Sequence, residues 1–263
     1  MRKVAVYTVV RNEGRLLQKW LDYYMTLFGE EHTFILDNDT DDGSTENLPC
    51  NVIRISCGVA YNNAWLCDQV RSFQQGLLSS GYDYVVFADC DEFLWHPMGL
   101  MNYVQKLKKP DVMAVGFDLI HMPYEEPTPF DYNQKIMSQR AFWFRSPTYN
   151  KTLISNHPLE WRTGLHRANN SCGFQDQDLL LVHVHRFDYW ETLRRHELAC
   201  NMPWHQPELD KGFHHARSVG DEYREWYFYS RLYKRNFREI PEHKLPPIEH
   251  IPPELLSKMK DCF

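Results

Sequence analysis

The sequence predicts an α/β fold: a mixed, mostly parallel sheet flanked by helices, with a C-terminal tail that wraps around it. Three observations carry that expectation. Short β-branched runs alternate with helix-period runs over the first hundred or so residues, the pattern of strand–helix–strand crossovers. The strand-like runs are continuously apolar, as in strands buried on both faces. From Glu225 onward an aromatic-basic segment to Phe237 gives way to paired prolines at 246–247 and 252–253, too irregular for a second domain.

The elements follow in order. Val4 to Val10 is a buried strand, and Leu16, Leu17, Trp20, Leu21, Tyr24 and Leu27 recur at helical spacing until Gly29 ends the helix. Thr33 to Leu36 is the second strand, and it opens into the polar loop Asp37-Asn38-Asp39-Thr40-Asp41-Asp42-Gly43-Ser44. A third strand, Val52 to Ile55, precedes a helix from Trp65 to Leu78 with Leu66, Val70, Phe73 and Leu77 on one face. Tyr82 to Ala88 is a fourth, central strand that runs into Asp89-Cys90-Asp91-Glu92. Val112 to His121 is a further strand, and a proline- and aromatic-rich irregular stretch follows to about Thr148. Leu179 to His185 is a late strand, with a helix from about Asp188 to Cys200 after it.

Composition bounds the partners. A net charge of −6 leaves no basic field to gather phosphate backbones, so nucleic acid is not an expected partner. No apolar run reaches the roughly 18–20 residues of a membrane helix, and Val4 to Val10 lacks the cleavage pattern of a signal peptide, so no transmembrane segment is expected. The seven cysteines are odd in number, scattered and without a C-x-x-C pair, which fits a reducing cytoplasmic location.

The sharpest chemical feature is Asp89-Cys90-Asp91-Glu92. Three carboxylates in four residues repel one another unless a cation or donors neutralise them. In an extended segment Asp89 and Asp91 would share a face while Cys90 turns inward. Arg11-Asn12-Glu13-Gly14, directly after the first strand, offers backbone N–H groups and a guanidinium to a phosphate or nucleotide, although Asn12 also suits an ordinary helix cap. Neither a phosphate-binding loop G-x-x-x-x-G-K-[ST] nor a dinucleotide fingerprint G-x-G-x-x-G is present. In a parallel sheet Thr8 to Glu13, Asp37-Asn38 and Asp89 to Asp91 converge on one edge, where ligands bind. His183 and His185 alternate on an apolar strand and so share a face; they read either as core imidazoles or as ligands. His166 is a third candidate. Trp95, Trp143 and Trp161 are the aromatics marked as contacts for a sugar acceptor.

Together these residues resemble the GT-A glycosyltransferases, in particular the family-2-like group described as domain of unknown function 23 or family 92. The resemblance is carried by R-N-E at Arg11 to Glu13, W-L-x-x-Y at Trp20 to Tyr24, D-N at Asp37-Asn38 and A-D-C-D-E-F at Ala88 to Phe93. G-L-H at Gly164 to His166 and L-V-H-V-H-R-F-D-Y at Leu181 to Tyr189 extend it over most of the chain. It implies a GT-A-like (Rossmann-like) fold in a single domain, 1–263. Residues 1–120 would form the nucleotide-sugar-binding half, 121–205 the acceptor and metal-completing half, and 206–263 the helical, proline-rich tail.

The resemblance further implies a nucleotide-diphosphate sugar as co-substrate and Mn²⁺ or Mg²⁺ bridged by the D-x-D pair, Asp89 and Asp91, with His183 or His185 completing the metal shell. Thr8, Arg11, Asn12, Glu13 and Asp37 would hold the nucleotide, with Asp89 on the ribose or reaching the ion through water, and Arg71 would assist at the diphosphate. Glu160 and His166 are the candidates for a base that takes the acceptor's proton. The acceptor would be a glycan or a lipid-linked or protein-linked hydroxyl. Two other readings remain open at this stage: a haloacid-dehalogenase-like phosphatase, which also places D-x-D after an apolar strand, and a non-catalytic sugar-binding module.

Overall fold

The computed structural model describes residues 1–58, 61–210, 221–230 and 241–263. The strands are β1 (Val4–Val10), β2 (Thr33–Asn38), β3 (Asn51–Ile55), β4 (Tyr84–Phe87), β5 (Glu92–Trp95), β6 (Asp111–Ile120), β7 (Phe142–Arg145), β8 (Thr152–Ser155), β9 (Gln175–Arg186) and β10 (Glu249–His250). The helices are α1 (Arg15–Phe28), α2 (Asn63–Ser79), α3 (Leu100–Lys106), α4 (Tyr189–Asn201), α5 (Gln206–Asp210), α6 (Asp221–Tyr229) and α7 (Pro253–Met259). Residues 231–237 of the aromatic-basic segment lie outside the described residues.

The strands form one sheet in the order β10-β7-β6-β8-β4-β1-β2-β3, with β9 pairing with β5 and β6. The β3-β2-β1-β4 half is parallel throughout. Its order, 3-2-1-4, is that of the Rossmann-like nucleotide-binding half-sheet. Beyond β4 the sheet continues through antiparallel β8, β6, β7 and β10, while β9 runs parallel to β6 and antiparallel to β5. The fold class expected from the sequence, a mixed, mostly parallel α/β sheet flanked by helices with a wrapping tail, is the one observed, its parallel part being the central β3-β2-β1-β4 half and its antiparallel pairings lying beyond β4.

Packing positions the site from below. Helix α1 buries Leu16, Leu17, Trp20, Leu21 and Tyr24 against the sheet. The Tyr24 hydroxyl donates to the Glu92 carbonyl and accepts from the Leu94 amide, both at 3.0 Å, so α1 fixes the strand that follows the acidic cluster. The tail closes over the same region. Ile251, Met259 and Phe263 are buried, the Phe263 ring stacks on Phe93 with centroids 4.7 Å apart, and the Met137 amide donates to the Phe263 carbonyl at 3.1 Å. Pro252 and Pro253 start the short helix α7, and burial of Ile251, Met259 and Phe263 on either side of and within it holds this end of the tail against the sheet.

The short elements β5, β7, β8 and α3 were not expected from the sequence. Strands of four residues such as EFLW and TLIS span too few positions to show either period.

Candidate active site

The carboxyl ends of the parallel strands carry two loops that are laced together. The Asn12 side chain donates to the Asp41 carboxylate at 2.8 Å and accepts from the Asp41 amide at 2.9 Å. The Gly14 amide donates to Asp42 at 3.0 Å. Asn12 and Gly14 both take positive φ, 57° and 56°, which bends the chain out of β1 and into α1 and suits Asn and Gly, the residues that tolerate that region best. Asn12 therefore ties two loops together, where a helix-capping role would have satisfied only one.

Asp37 ends inside this edge and is fully buried. Its oxygens accept from the Thr40 amide, the Thr45 hydroxyl and the Arg54 guanidinium, each at 2.9 Å. Thr8 is likewise buried in β1, and its hydroxyl has no hydrogen-bond partner among the described residues. Arg11 is half-buried and reaches only the Cys57 sulfur, at 3.9 Å, a weak contact that leaves its guanidinium uncommitted to any carboxylate among the described residues.

Between β4 and β5 the acidic segment is a tight turn, closed by the Glu92 amide donating to the Asp89 carbonyl at 2.9 Å, and not the extended run expected from the sequence. The turn assigns the two aspartates different partners. Asp89 and the buried Glu92 are both held by Lys151, whose Nζ lies 2.9 Å from Asp89 and 2.5 Å from Glu92, with the Lys151 side chain 1% exposed. Burial opposes the charge on that ammonium, but the two carboxylates raise its pKa, while burial pushes the Glu92 carboxyl up. Part of the carboxylate crowding is thus relieved by a lysine. As expected, Cys90 turns into the core.

Asp91 faces the late strand. Residue 183 lies opposite Glu92 of β5 and Asp118 of β6 in the sheet register, and residue 185 projects from the same face two positions on. The Asp91 Oδ2 atom is 3.6 Å from His183 Nε2 and 3.4 Å from His185 Nδ1. Asp91, His183 and His185 each offer one ligand atom, and these atoms all lie within 4.8 Å of one another, a grouping that can hold a metal ion. One carboxylate oxygen and two imidazole nitrogens suit a first-row divalent cation and fit Mn²⁺ better than Mg²⁺, which prefers oxygen throughout.

Burial and neighbouring charges set the protonation of each group, and on His183 they favour the proton that a cation would have to displace. Burial alone would raise the Asp91 pKa, but His183, His185 and Arg195 outweigh it and hold the carboxyl well below its usual range. Burial pushes His185 down to about 4, which keeps its imidazole neutral. His183 is raised: burial works against its charge, and the Asp91 and Asp118 carboxylates win.

Three residues of this site were not picked out in the sequence. Asp118 on β6 is buried; it accepts from His183 Nδ1 at 3.1 Å and pairs with Arg186. A charged residue inside the apolar run Val112 to Ile120 was the available signal. Arg195 on α4 lies 2.9 Å from Glu13 and 3.4 Å from Asp91, so Glu13 of the R-N-E segment meets a side chain 182 residues away. Lys151 lies just past the irregular stretch and immediately before the four-residue strand β8, where no periodicity marks it.

Of the remaining expected residues, His166 is close and Glu160 is not tied in. The His166 ring meets the Tyr149 ring at 5.5 Å, and Tyr149 stacks on His183 with centroids 3.8 Å apart. Burial, with Lys151 and His183 nearby, pushes His166 down to about 3. Glu160 and Arg71 pair with each other at 3.4 Å, both close to half exposed, and among the described residues neither hydrogen-bonds to the Asp91 cluster. Trp95, Trp143 and Trp161 are 8%, 3% and 8% exposed. This corrects their reading as acceptor contacts, because large apolar rings in this sheet are drawn into its core. No described helix is long and apolar enough to cross a membrane.

No family model matches the chain. A glycosyltransferase family 92 protein of Ricinus communis is 25% identical over 213 residues, 73% of this chain and 37% of its own length. A second, from Oryza sativa subsp. japonica, is 33% identical over 102 residues, 36% of this chain and 16% of its own length. The chain therefore spans little more than a third of the first relative and about a sixth of the second. Among solved structures, S. aureus TarS 1-349 is 12% identical with a TM-score of 0.40, covering 79% of this chain and 68% of that one. In sequence the chain is similar to glycosyltransferase family 92 proteins, the same family that its R-N-E, D-C-D-E and H-V-H-R segments resemble.

Proposed function

We propose that this chain is the catalytic unit of a metal-dependent glycosyltransferase that moves a sugar from a nucleotide-sugar donor to a hydroxyl of a glycan, lipid-linked or protein-linked acceptor. The observation that carries the reading is the meeting of Asp91, His183 and His185 beside the carboxyl edge of a parallel 3-2-1-4 half-sheet. The likeness to family 92 proteins supports it.

In this reading Asp91, His183 and His185 hold Mn²⁺, which when bound neutralises charge on the departing diphosphate. The chain's own residues do the rest. Asp118 fixes the His183 ring by accepting from Nδ1, which leaves Nε2 turned toward Asp91. Arg11, with its guanidinium uncommitted, meets the nucleotide at the edge shaped by the Asn12–Asp41 and Gly14–Asp42 bonds. Asp37 acts through the loop it organises, since its near partners are protein groups. His166 lies one ring away from His183, whereas the half-exposed Glu160 is paired with Arg71, so position favours His166 as the group that takes the acceptor's proton, while its lowered pKa makes it a weak base.

The test is a thermal-shift screen of nucleoside diphosphates and their sugars with and without Mn²⁺. A ligand at about one hundred times its dissociation constant should stabilise the protein by about 2.7 kcal/mol. The Mn²⁺-dependent part of that shift should vanish in Asp91→Ala. No shift with any nucleotide, or a shift undiminished in Asp91→Ala, refutes the reading.

A further inference from the structure

The buried cation beside the cluster has more donors than acceptors. Arg195 Nη2 lies 2.9 Å from Glu13 Oε2 and 3.4 Å from Asp91 Oδ2. Its Nη1 is buried and has no hydrogen-bond partner among the described residues. The side chain is 16% exposed, so water reaches little of it. A guanidinium is a rigid fork of five N–H donors that cannot shed its proton, and an unanswered N–H in such a place costs stability until an acceptor arrives. The free donor lies on a side chain already fixed by Glu13 and next to the carboxylate of the ion-binding group.

We propose that Arg195 is an anion-binding residue whose Nη1 donates to a phosphate oxygen of the donor's diphosphate, with Glu13 holding the guanidinium in place. The inference rests on the nucleotide-sugar reading above and deepens it by naming the group that grips the diphosphate from the side of α4. It also gives the glutamate of the R-N-E segment a role through Arg195, as a positioning residue. Lysine would not substitute, because a point charge cannot answer Glu13 and a phosphate at once with fixed geometry. Since Arg195 also contacts Asp91, a cation on that carboxylate competes with it, and removing Arg195 should leave the cation's hold intact or tighter.

The experiment is isothermal titration of inorganic pyrophosphate, a panel of nucleoside diphosphates and the matching monophosphates into protein saturated with Mn²⁺, alongside Mn²⁺ titrations. Wild type, Arg195→Gln, Arg195→Lys and Glu13→Gln are compared. Arg195→Gln should weaken pyrophosphate and diphosphate binding by about tenfold or more, with a much smaller effect on the monophosphates and no loss of Mn²⁺ affinity. Arg195→Lys, which keeps the charge and protects the fold, should recover only part of the loss, and Glu13→Gln should weaken pyrophosphate in the same direction.

Diphosphate binding that is unchanged in Arg195→Gln or in Arg195→Lys overturns this inference and leaves the proposed function standing. So does an equal loss of Mn²⁺ affinity, which would make Arg195 merely a support for Asp91. Arg195-dependent binding of pyrophosphate without any nucleotide binding upholds the anion site and refutes the nucleotide-sugar reading. Binding of neither by wild type overturns both.

Discussion

The Asp118 carboxylate accepts a hydrogen bond from His183 Nδ1 at 3.1 Å, across the parallel pairing of β6 with β9. That bond holds the His183 ring with Nε2 turned toward Asp91, the nitrogen that must give up its proton for a cation to bind there. Outer partners of this kind commonly change metal affinity by about 10–100-fold when removed. Asp118→Asn should therefore weaken Mn²⁺ binding by about that factor, read by calorimetry, while the circular-dichroism spectrum is unchanged. An unaltered dissociation constant would show that His183 needs no such support.

Lys151 is the internal counter-charge of the acidic turn. Replacing it with methionine strands Glu92, which is fully buried, and loosens Asp89. Breaking a buried pair from one side costs about 3–5 kcal/mol, whereas removing both charges costs far less. Urea denaturation should show Lys151→Met strongly destabilised and the Lys151→Met/Glu92→Gln double variant substantially recovered. Additive losses in the double variant would contradict the pairing.

Close packing behind His183 supplies another test. Gly116 on β6 lies so near the Tyr149 backbone that a Cβ there would overlap it, and Tyr149 carries the ring stacked on His183. Gly116→Ala should cost about 1–3 kcal/mol and also weaken Mn²⁺ binding, because relief of the overlap moves Tyr149. Unchanged stability in thermal melts would mean that the backbones are not in contact.

Acid stability should depend on Asp111. Burial opposes its charge, yet hydrogen bonds from Ser171, His157 and Cys172 hold its carboxyl below the usual range. A group with a depressed folded pKa contributes stability above its unfolded value, roughly 3.9, and loses it as pH falls through the folded value. The melting-temperature gap between wild type and Asp111→Asn should be widest near neutral pH and should shrink below about pH 4. A gap independent of pH would assign the effect to shape instead of charge.

Much of this was legible in the sequence because the features in question are periodic. The run Val4 to Val10, the helical spacing from Leu16 to Tyr24, and the alternation of His183 with His185 each repeat often enough to fix element and face, and the first two match β1 and α1 almost residue for residue. Alternation put His183 and His185 on one face, but their meeting with Asp91 was implied only by the resemblance to the glycosyltransferase family. The supporting charges were a different matter. Lys151 and Arg195 act through partners 62 and 182 residues away, and nothing in their immediate neighbours distinguishes them from surface residues. The aspartates also misled for a physical reason: a turn, unlike a strand, gives residues two apart no common face, so Asp89 went to Lys151 and Asp91 to the histidines.

A cation shared by Asp91, His183 and His185 is tested most directly by crystals grown with MnCl₂ and a nucleoside diphosphate and measured on both sides of the manganese absorption edge. The predicted result is an anomalous peak bounded by the Asp91 carboxylate and the two imidazoles. Nucleotide in the crystal without a peak there, and Arg195 still resting on Asp91, would contradict it.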